Sequence, residues 1–247
     1  MCGYVPGVHD SESPADATPF APPAETFSSF LTERIVEIPD PLEGALLAVD
    51  TALGTSVALG ARGRVFEAVS DDPRGHAEAI GTLIARVFEM SGVSPAEVTG
   101  VVAGIGPGPF TGLRVGIAAA HAFATGRGVP LLPLQGHEAV ALAVLESSPV
   151  AELRVVQDAK RRELFVTEYA GLSEAGIPAC RVEPRLVART EHLAVPHEIW
   201  PERIPAARLV QLAARRLVAG VAFEADRALY LRLPDIAQPA APKRVSV

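Results

Sequence analysis

Two aspartates and one glycine-rich loop are the places where this sequence could do chemistry. Asp50 closes the apolar run Ala45-Leu46-Leu47-Ala48-Val49, and Asp158 closes Leu153-Arg154-Val155-Val156-Gln157, so each acid ends a buried-strand pattern. Carboxylates at the ends of paired strands can hold a magnesium–phosphate group, or they can cap the turns that follow. Between them, Gly106-Pro107-Gly108-Pro109-Phe110-Thr111-Gly112-Leu113-Arg114 follows the apolar run Val101-Val102-Ala103 and leads into a helical pattern from Val115 to Ala124. That order predicts a strand, a tight turn and a helix start. Free N–H groups near Thr111 and Gly112 suit an anion. The candidate nucleotide-binding residues are therefore Asp50, Gly106, Gly108, Thr111, Gly112 and Asp158. The same glycines equally suit a connection without a ligand, in which a missing Cβ lets the backbone pass close to a neighbour.

Sharper motifs are absent. No Lys-Ser or Lys-Thr pair closes the loop, and Phe110-Thr111 stand where a dinucleotide fingerprint needs its third glycine. His137-Glu138-Ala139-Val140-Ala141 lacks the second histidine of a His-Glu-x-x-His zinc peptidase. Cys2 and Cys180 stand far apart with no metal-binding companions. Met1-Cys2-Gly3 has the look of an N-terminal cysteine nucleophile, but the proline-rich run after it cannot make the buried strand that chemistry requires. No residue is assigned as catalytic and none as a metal ligand.

Composition narrows the setting. The net charge of −7 resides in residues 1–44, which carry eight acids against Arg34 alone; the remaining 21 acids and 21 bases balance. A neutral globular part argues against a stand-alone nucleic-acid binder. No apolar run reaches the 18 residues of a membrane span, and two isolated cysteines fit a reducing cytoplasm. Residues 1–44 read as a poorly ordered tail that donates no strand, with a short helix as an option over 27–38. Residues 45–147 read as an N-terminal lobe: three strands in an antiparallel meander, a helix over 75–90, a capping box at Ser94-Pro95-Ala96-Glu97, then the signature strand and helix, a strand over 130–134 and a helix over 138–145. Residues 148–247 read as a smaller copy, with strands over 153–158 and 163–169, a helix over 204–218 with a stripe at Leu209, Leu212 and Leu217, and a last strand over 228–231.

Taken in order, Leu47-Ala48-Val49-Asp50-Thr51, His76-Ala77-Glu78, the segment from Gly106 to Gly116, Asp158-Ala159-Lys160-Arg161 and Tyr230-Leu231-Arg232 resemble the bacterial TsaB family of tRNA threonylcarbamoyladenosine biosynthesis proteins. The likeness covers residues 45–235. It implies the actin-like, sugar-kinase-like ATPase fold (ribonuclease-H-like), an α/β architecture of two lobes with mixed sheets flanked by helices and the second lobe reduced. It also implies a non-catalytic scaffold that pairs with a catalytic paralogue, TsaD, in forming N6-threonylcarbamoyladenosine in tRNAs reading codons that begin with A. A TsaE ATPase joins, tRNA is met only through the complex, and a homodimer forms when the partner is absent. No cofactor is required by the chain itself, and ATP belongs to the complex. By resemblance the pairing uses helices 75–90 and 111–124, which nominates His76, Ile80, Leu83, Ile84, Val87, Arg114, Ala118 and Ala122.

Two departures bear on chemistry. The catalytic paralogue's His-x-x-x-His metal pair falls on Gly136 and Val140, with His137 one residue out of register, and the family's usual Ser after Gly108 is Pro109. The second change deletes a hydroxyl and an N–H from the loop. The competing reading is an ATP-dependent phosphotransferase of the same superfamily using Asp50 and Asp158, although the Gly-Gly turn of its adenosine site occurs nowhere in the chain.

Overall fold

The computed structural model describes residues 31–37, 44–72, 75–148 and 150–232. Cys2, most of the proline-rich tail and the last fifteen residues lie outside the described residues.

Strands β2 (Ala45–Asp50), β3 (Thr55–Ala61) and β4 (Arg64–Ser70) form the expected antiparallel meander. Strand β5 (Val98–Gly104) then pairs parallel to β2, and β6 (Leu131–Leu134) parallel to β5. Both faces of this sheet are covered, which is why its strands read as continuous apolar runs. Leu47 and Val49 face helices α1 (His76–Ser91) and α2 (Phe110–Arg127), while Leu46 and Ala48 face the opposite core. A single 3-10 turn at Pro95–Glu97 carries the capping box: the Ser94 hydroxyl accepts from Ala96 N–H and Glu97 accepts from Ser94 N–H.

The tail is corrected in one respect. Residues 31–37 form neither coil nor helix but strand β1 (Leu31–Glu37), antiparallel to β4 at the sheet edge. Arg34 of β1 ion-pairs with the fully buried Glu67 of β4, and Glu33 makes a two-point pair with Arg86 of α1 at 2.6 and 3.0 Å. Those contacts add to the packing of Leu31 and Val36, the strand's two partly buried side chains, and hold a strand that is otherwise exposed.

Helix α3 (Gly136–Ser147) leads to the second sheet, ordered β10-β7-β8-β9, from β7 (Leu153–Asp158), β8 (Glu163–Leu172), β9 (Pro178–Ala188) and the two-residue β10 (Glu198–Ile199). Strand β9 is a further addition to the sequence reading. It is an edge strand, half exposed and interrupted by Pro184, so it carries no apolar alternation to read. The predicted strand at 228–231 is irregular instead, tied by Leu229 N–H donating to the Ile105 carbonyl at 2.8 Å.

Helix α4 (Ala206–Ala219) belongs to the second half of the sequence but packs on β2, β3 and β4 as well as on α3. Its N-cap residue, Pro205, has no side-chain donor or acceptor to offer, and the sheet supplies the cap. Ser56 Oγ accepts from Ala206 N–H at 3.0 Å and Glu67 Oε1 accepts from Ala207 N–H at 2.9 Å. These are free helix N–H groups meeting a carboxylate at the positive end of the dipole. Leu209 and Leu212 are buried as expected, whereas Leu217 is 53% exposed.

Candidate functional site

The signature loop closes over Asp50-Thr51-Ala52. Thr51 explains the glycine spacing most directly: its hydroxyl donates to the Gly112 carbonyl at 2.7 Å and accepts from Gly116 N–H at 3.0 Å, so it stands inside a rung of the α2 ladder. A Cβ on Gly116 would lie 2.3 Å from that hydroxyl oxygen. Likewise a Cβ on Gly104 would lie 1.9 Å from Asp50 Oδ2, and buried Gly108 packs on Ala52. Gly106 has φ +109°, its carbonyl accepts from Gly136 N–H at 2.8 Å, and it turns the chain toward Pro107. The absence of side chains therefore serves close packing of one backbone on another.

Asp50 is sealed in. It is 1% exposed, Oδ1 accepts from Ala52 N–H at 2.8 Å, and Oδ2 has no hydrogen-bond partner among the described residues. Burial pushes its carboxyl up to about 7 against the opposing pull of the Ala52 N–H. Asp158, by contrast, sits at the β7–β8 hairpin with Lys160 at 3.3 Å and Arg189 at 3.3 Å. Partial burial raises its carboxyl, but the Lys160 N–H and ammonium with Arg189 outweigh it and hold the group below the usual range.

A cavity of about 410 Å³ lies between the signature and that hairpin, lined by Gly108, Pro109 and Phe110 on one side and Ala159, Lys160, Arg161 and Arg232 on the other. Neither Asp50 nor Asp158 lines it. A magnesium–phosphate role for the pair would need both acids in one open space, and the packing of Gly104 and Gly136 over Asp50 closes that route. Thr111 is exposed on the first turn of α2, beside buried Gly112.

His137 is fully buried with both ring nitrogens engaged: Nδ1 with Thr167 Oγ1 at 2.7 Å and Nε2 with Gln157 Oε1 at 3.2 Å. Gln157 donates its amide to the Ala52 carbonyl at 3.3 Å, so its oxygen faces His137 and the proton belongs on Nε2. Burial lowers this imidazole to about 4, with Gln157 opposing. The neutral histidine ties α3 to β7 and β8 of the second sheet, and Gln157 carries the link on to Ala52 just after β2. The spacing His137…Gln157…Thr167 was invisible in the sequence, because no local pattern relates these three positions.

The nominated docking residues divide by burial. Ile80, Leu83 and Val87 are 8%, 1% and 0% exposed and belong to the core between the sheet and α1. They are corrected from surface to core, since a helical stripe wide enough to face both sides faces the sheet first. Ala118, Ala122 and Arg114 are exposed, and Ile84 is half-buried. Beside them Gly81 and Ala85 are exposed on α1, so small residues spaced four apart lie on both helices, with Phe88 stacked on Phe123 at 5.8 Å in the seam. The sequence reading missed Gly81 and Ala85; their spacing from each other was the available signal. His76 is half-buried, its Nδ1 2.8 Å from the Thr55 hydroxyl, and its pKa is lowered by burial against Asp72 and Glu78. Arg114 lies 3.9 Å over the Phe110 ring and donates to the Tyr230 hydroxyl at 3.3 Å, which holds the start of α2 to the segment after α4.

Residues 70–225 match the family described as TsaD, tRNA N6-adenosine threonylcarbamoyltransferase. An uncharacterized protein of Mycobacterium tuberculosis is 31% identical over 206 residues, covering 77% of this chain and 92% of its own length. The Escherichia coli tRNA threonylcarbamoyladenosine biosynthesis protein TsaB is 30% identical over 125 residues, 50% of this chain and 54% of that protein. The chain belongs to the TsaB group of this family. A solved structure from Pseudomonas aeruginosa, described as an uncharacterized protein with similarity to peptidase YEAZ, superposes with a TM-score of 0.66 at 25% identity, covering 77% of this chain and all of that one. The YeaZ structure from the same organism gives 0.64 at 22% identity, over 76% of this chain and all of that one, and supports the fold. Among the described residues, the two mixed sheets with four α-helices are the expected actin-like arrangement. No helix among the described residues is long and apolar enough to cross a membrane.

Proposed function

We propose that this chain serves formation of N6-threonylcarbamoyladenosine in tRNA as a non-catalytic scaffold, docking a TsaD-like paralogue through the outer faces of α1 and α2. The observation that carries the reading is that face itself. Gly81 and Ala85 on one helix and Ala118 and Ala122 on its neighbour are exposed and let a partner helix approach closely, with half-buried Ile84, Phe88 and Phe123 on the same two helices. Relatives named for this pathway, TsaB of Escherichia coli and of Haemophilus influenzae, support the assignment to tRNA modification. The scaffold role draws on His137, whose ring nitrogens are both committed, and on Gly136 and Val140, neither of which has a side-chain atom that can ligate a metal. In this reading a TsaE-like ATPase joins the pair, ATP and tRNA bind at the level of the complex, and without its partner the chain self-associates through the same helices.

The test is reconstitution with the same organism's TsaD-like and TsaE-like proteins, measuring threonylcarbamoylation of tRNA. Activity is expected only with the chain present. Ala118→Arg and Ala122→Arg are expected to reduce it at least tenfold while leaving unfolding unchanged, because both side chains already face solvent. Full activity without the chain, or with both arginines in place, refutes the scaffold. Val87→Arg is the wrong probe, since a charge at a fully buried site unfolds the protein instead of undocking it.

A further inference from the structure

A second cavity, of about 270 Å³, shares no lining residue with the one beside the signature. It opens where the start of α3, the β8–β9 hairpin and the chain after α4 meet. Three carboxylates line it: Glu138 from α3, Glu183 from β9 and Glu224 from beyond α4. Arg216 is the one cation among its described lining residues, and its charge is already engaged. Nη2 donates to both Glu138 oxygens at 2.8 and 2.7 Å, and Nη1 donates to the Ala222 carbonyl at 2.6 Å with Glu224 at 3.7 Å. Glu183 accepts from the neutral amide of Gln135 at 3.4 Å and from the Cys180 thiol, and no cation among the described residues pairs with it. Three carboxylates against one guanidinium leave two negative charges around the space.

Groups around the cavity register that excess. Glu138 is raised, first by burial and then by Glu224 and Glu183 against the pull of Arg216. Cys180, which also lines the cavity, is pushed up to about 11 by burial and by Glu183, Glu138 and Glu224.

An independent feature says what kind of cation fits. Tyr169 lines the cavity, is 1% exposed, and its hydroxyl has no hydrogen-bond partner among the described residues. A buried hydroxyl without a partner is destabilising unless something fills its need. Its oxygen can accept an N–H, and its ring offers a face to a positive charge. Ile177, Pro178 and Val221 complete the walls with apolar surface. A small metal ion is a poor match, because no group of three His, Cys, Asp or Glu side chains among the described residues has ligating spacing. Carboxylates, an orphan phenol oxygen and aliphatic walls together suit a charged nitrogen on a hydrocarbon stem.

We propose that the cavity bounded by Glu138, Glu183, Glu224 and Tyr169 binds a primary alkylammonium group. It can be carried by a free amine or by the lysine side chain of another protein. The test titrates the full chain with n-butylammonium chloride, with n-pentanol as a neutral and slightly more apolar control, and with a blocked lysine tripeptide, following backbone amide shifts. Saturable binding of n-butylammonium with shifts centred on β8, β9 and the start of α3 is expected, at least about tenfold tighter than n-pentanol. Glu183→Gln with Glu224→Gln is expected to weaken it at least about tenfold, and Tyr169→Phe to weaken it severalfold. A tripeptide that binds tighter than the free amine assigns the source to a protein lysine, and the reverse order assigns it to a small amine. Should the double variant lose cooperative unfolding, Glu224→Lys carries the test, since its own ammonium is expected to exclude the ligand. Equal binding of n-pentanol, shifts elsewhere, or unchanged affinity in the variants overturns the proposal.

Discussion

At the scale of single residues, two buried titratable groups face opposite ways in pH. Asp50 has a folded pKa near 7 against 3.8 for the unfolded chain, so the native state holds a proton that the unfolded state has lost. Its contribution is full below about pH 4 and is lost as pH rises through about 7, at up to about 1.4 kcal/mol per pH unit. His137 is lowered from 6.5 to about 4, so its contribution is present above about 6.5 and is lost as pH falls through 4. Between pH 4 and 6.5 the two slopes oppose each other. Asp50→Asn keeps the acceptor for Ala52 N–H and removes one slope. Urea unfolding of parent and variant at several pH values is expected to show a difference that grows in the variant's favour from pH 4 to 7 and then levels off. A constant difference would mean that Asp50 is ionised in the folded protein at acid pH. Only half of this pair was legible beforehand: Asp50 stands out as the acid that ends a buried strand, whereas the sealing of its carboxylate depends on Gly104 and Gly136, which are distant in sequence.

At the scale of elements, the cap of α4 is the contact that matters most. Glu67 accepts from Ala207 N–H and pairs with Arg34, and Ser56 accepts from Ala206 N–H, so three strands and a helix converge on one buried carboxylate. Glu67→Ala strands two donors at once and is expected to cost about 3 kcal/mol in denaturant unfolding, while Arg34→Ala, half exposed, is expected to cost about 1. Equal small effects from both would show that water replaces the carboxylate. Most elements were readable because they bury a face: the meander, the amphipathic α1 and the signature strand all follow apolar period. Strands β1 and β9 were not, since one is mostly exposed and held in part by ion pairs and the other is a half-exposed edge. The burial of Leu83 and Val87 was open for a related reason, because hydrophobic period marks a buried stripe without saying whether sheet or partner buries it.

At the scale of the whole molecule, the sequence boundary near residue 147 does not divide the core. One continuous cluster runs from Leu46 and Ala48 of the first sheet through Leu142 of α3 and Leu209 of α4 to Val155 and Tyr169 of the second. A fragment comprising residues 1–147 is therefore expected to lack cooperative thermal unfolding and to bind a hydrophobic dye, whereas the full chain unfolds in one transition. A fragment that melts cooperatively would show that the first sheet is self-sufficient. The position of α4 also has a consequence in time. Translation proceeds from the N-terminus, so every strand of the first sheet leaves the ribosome before the helix that roofs one of its faces. Over that interval the nascent chain presents Leu46, Ala48 and Ala58 without their cover, and its dependence on holding chaperones should end when Ala219 emerges.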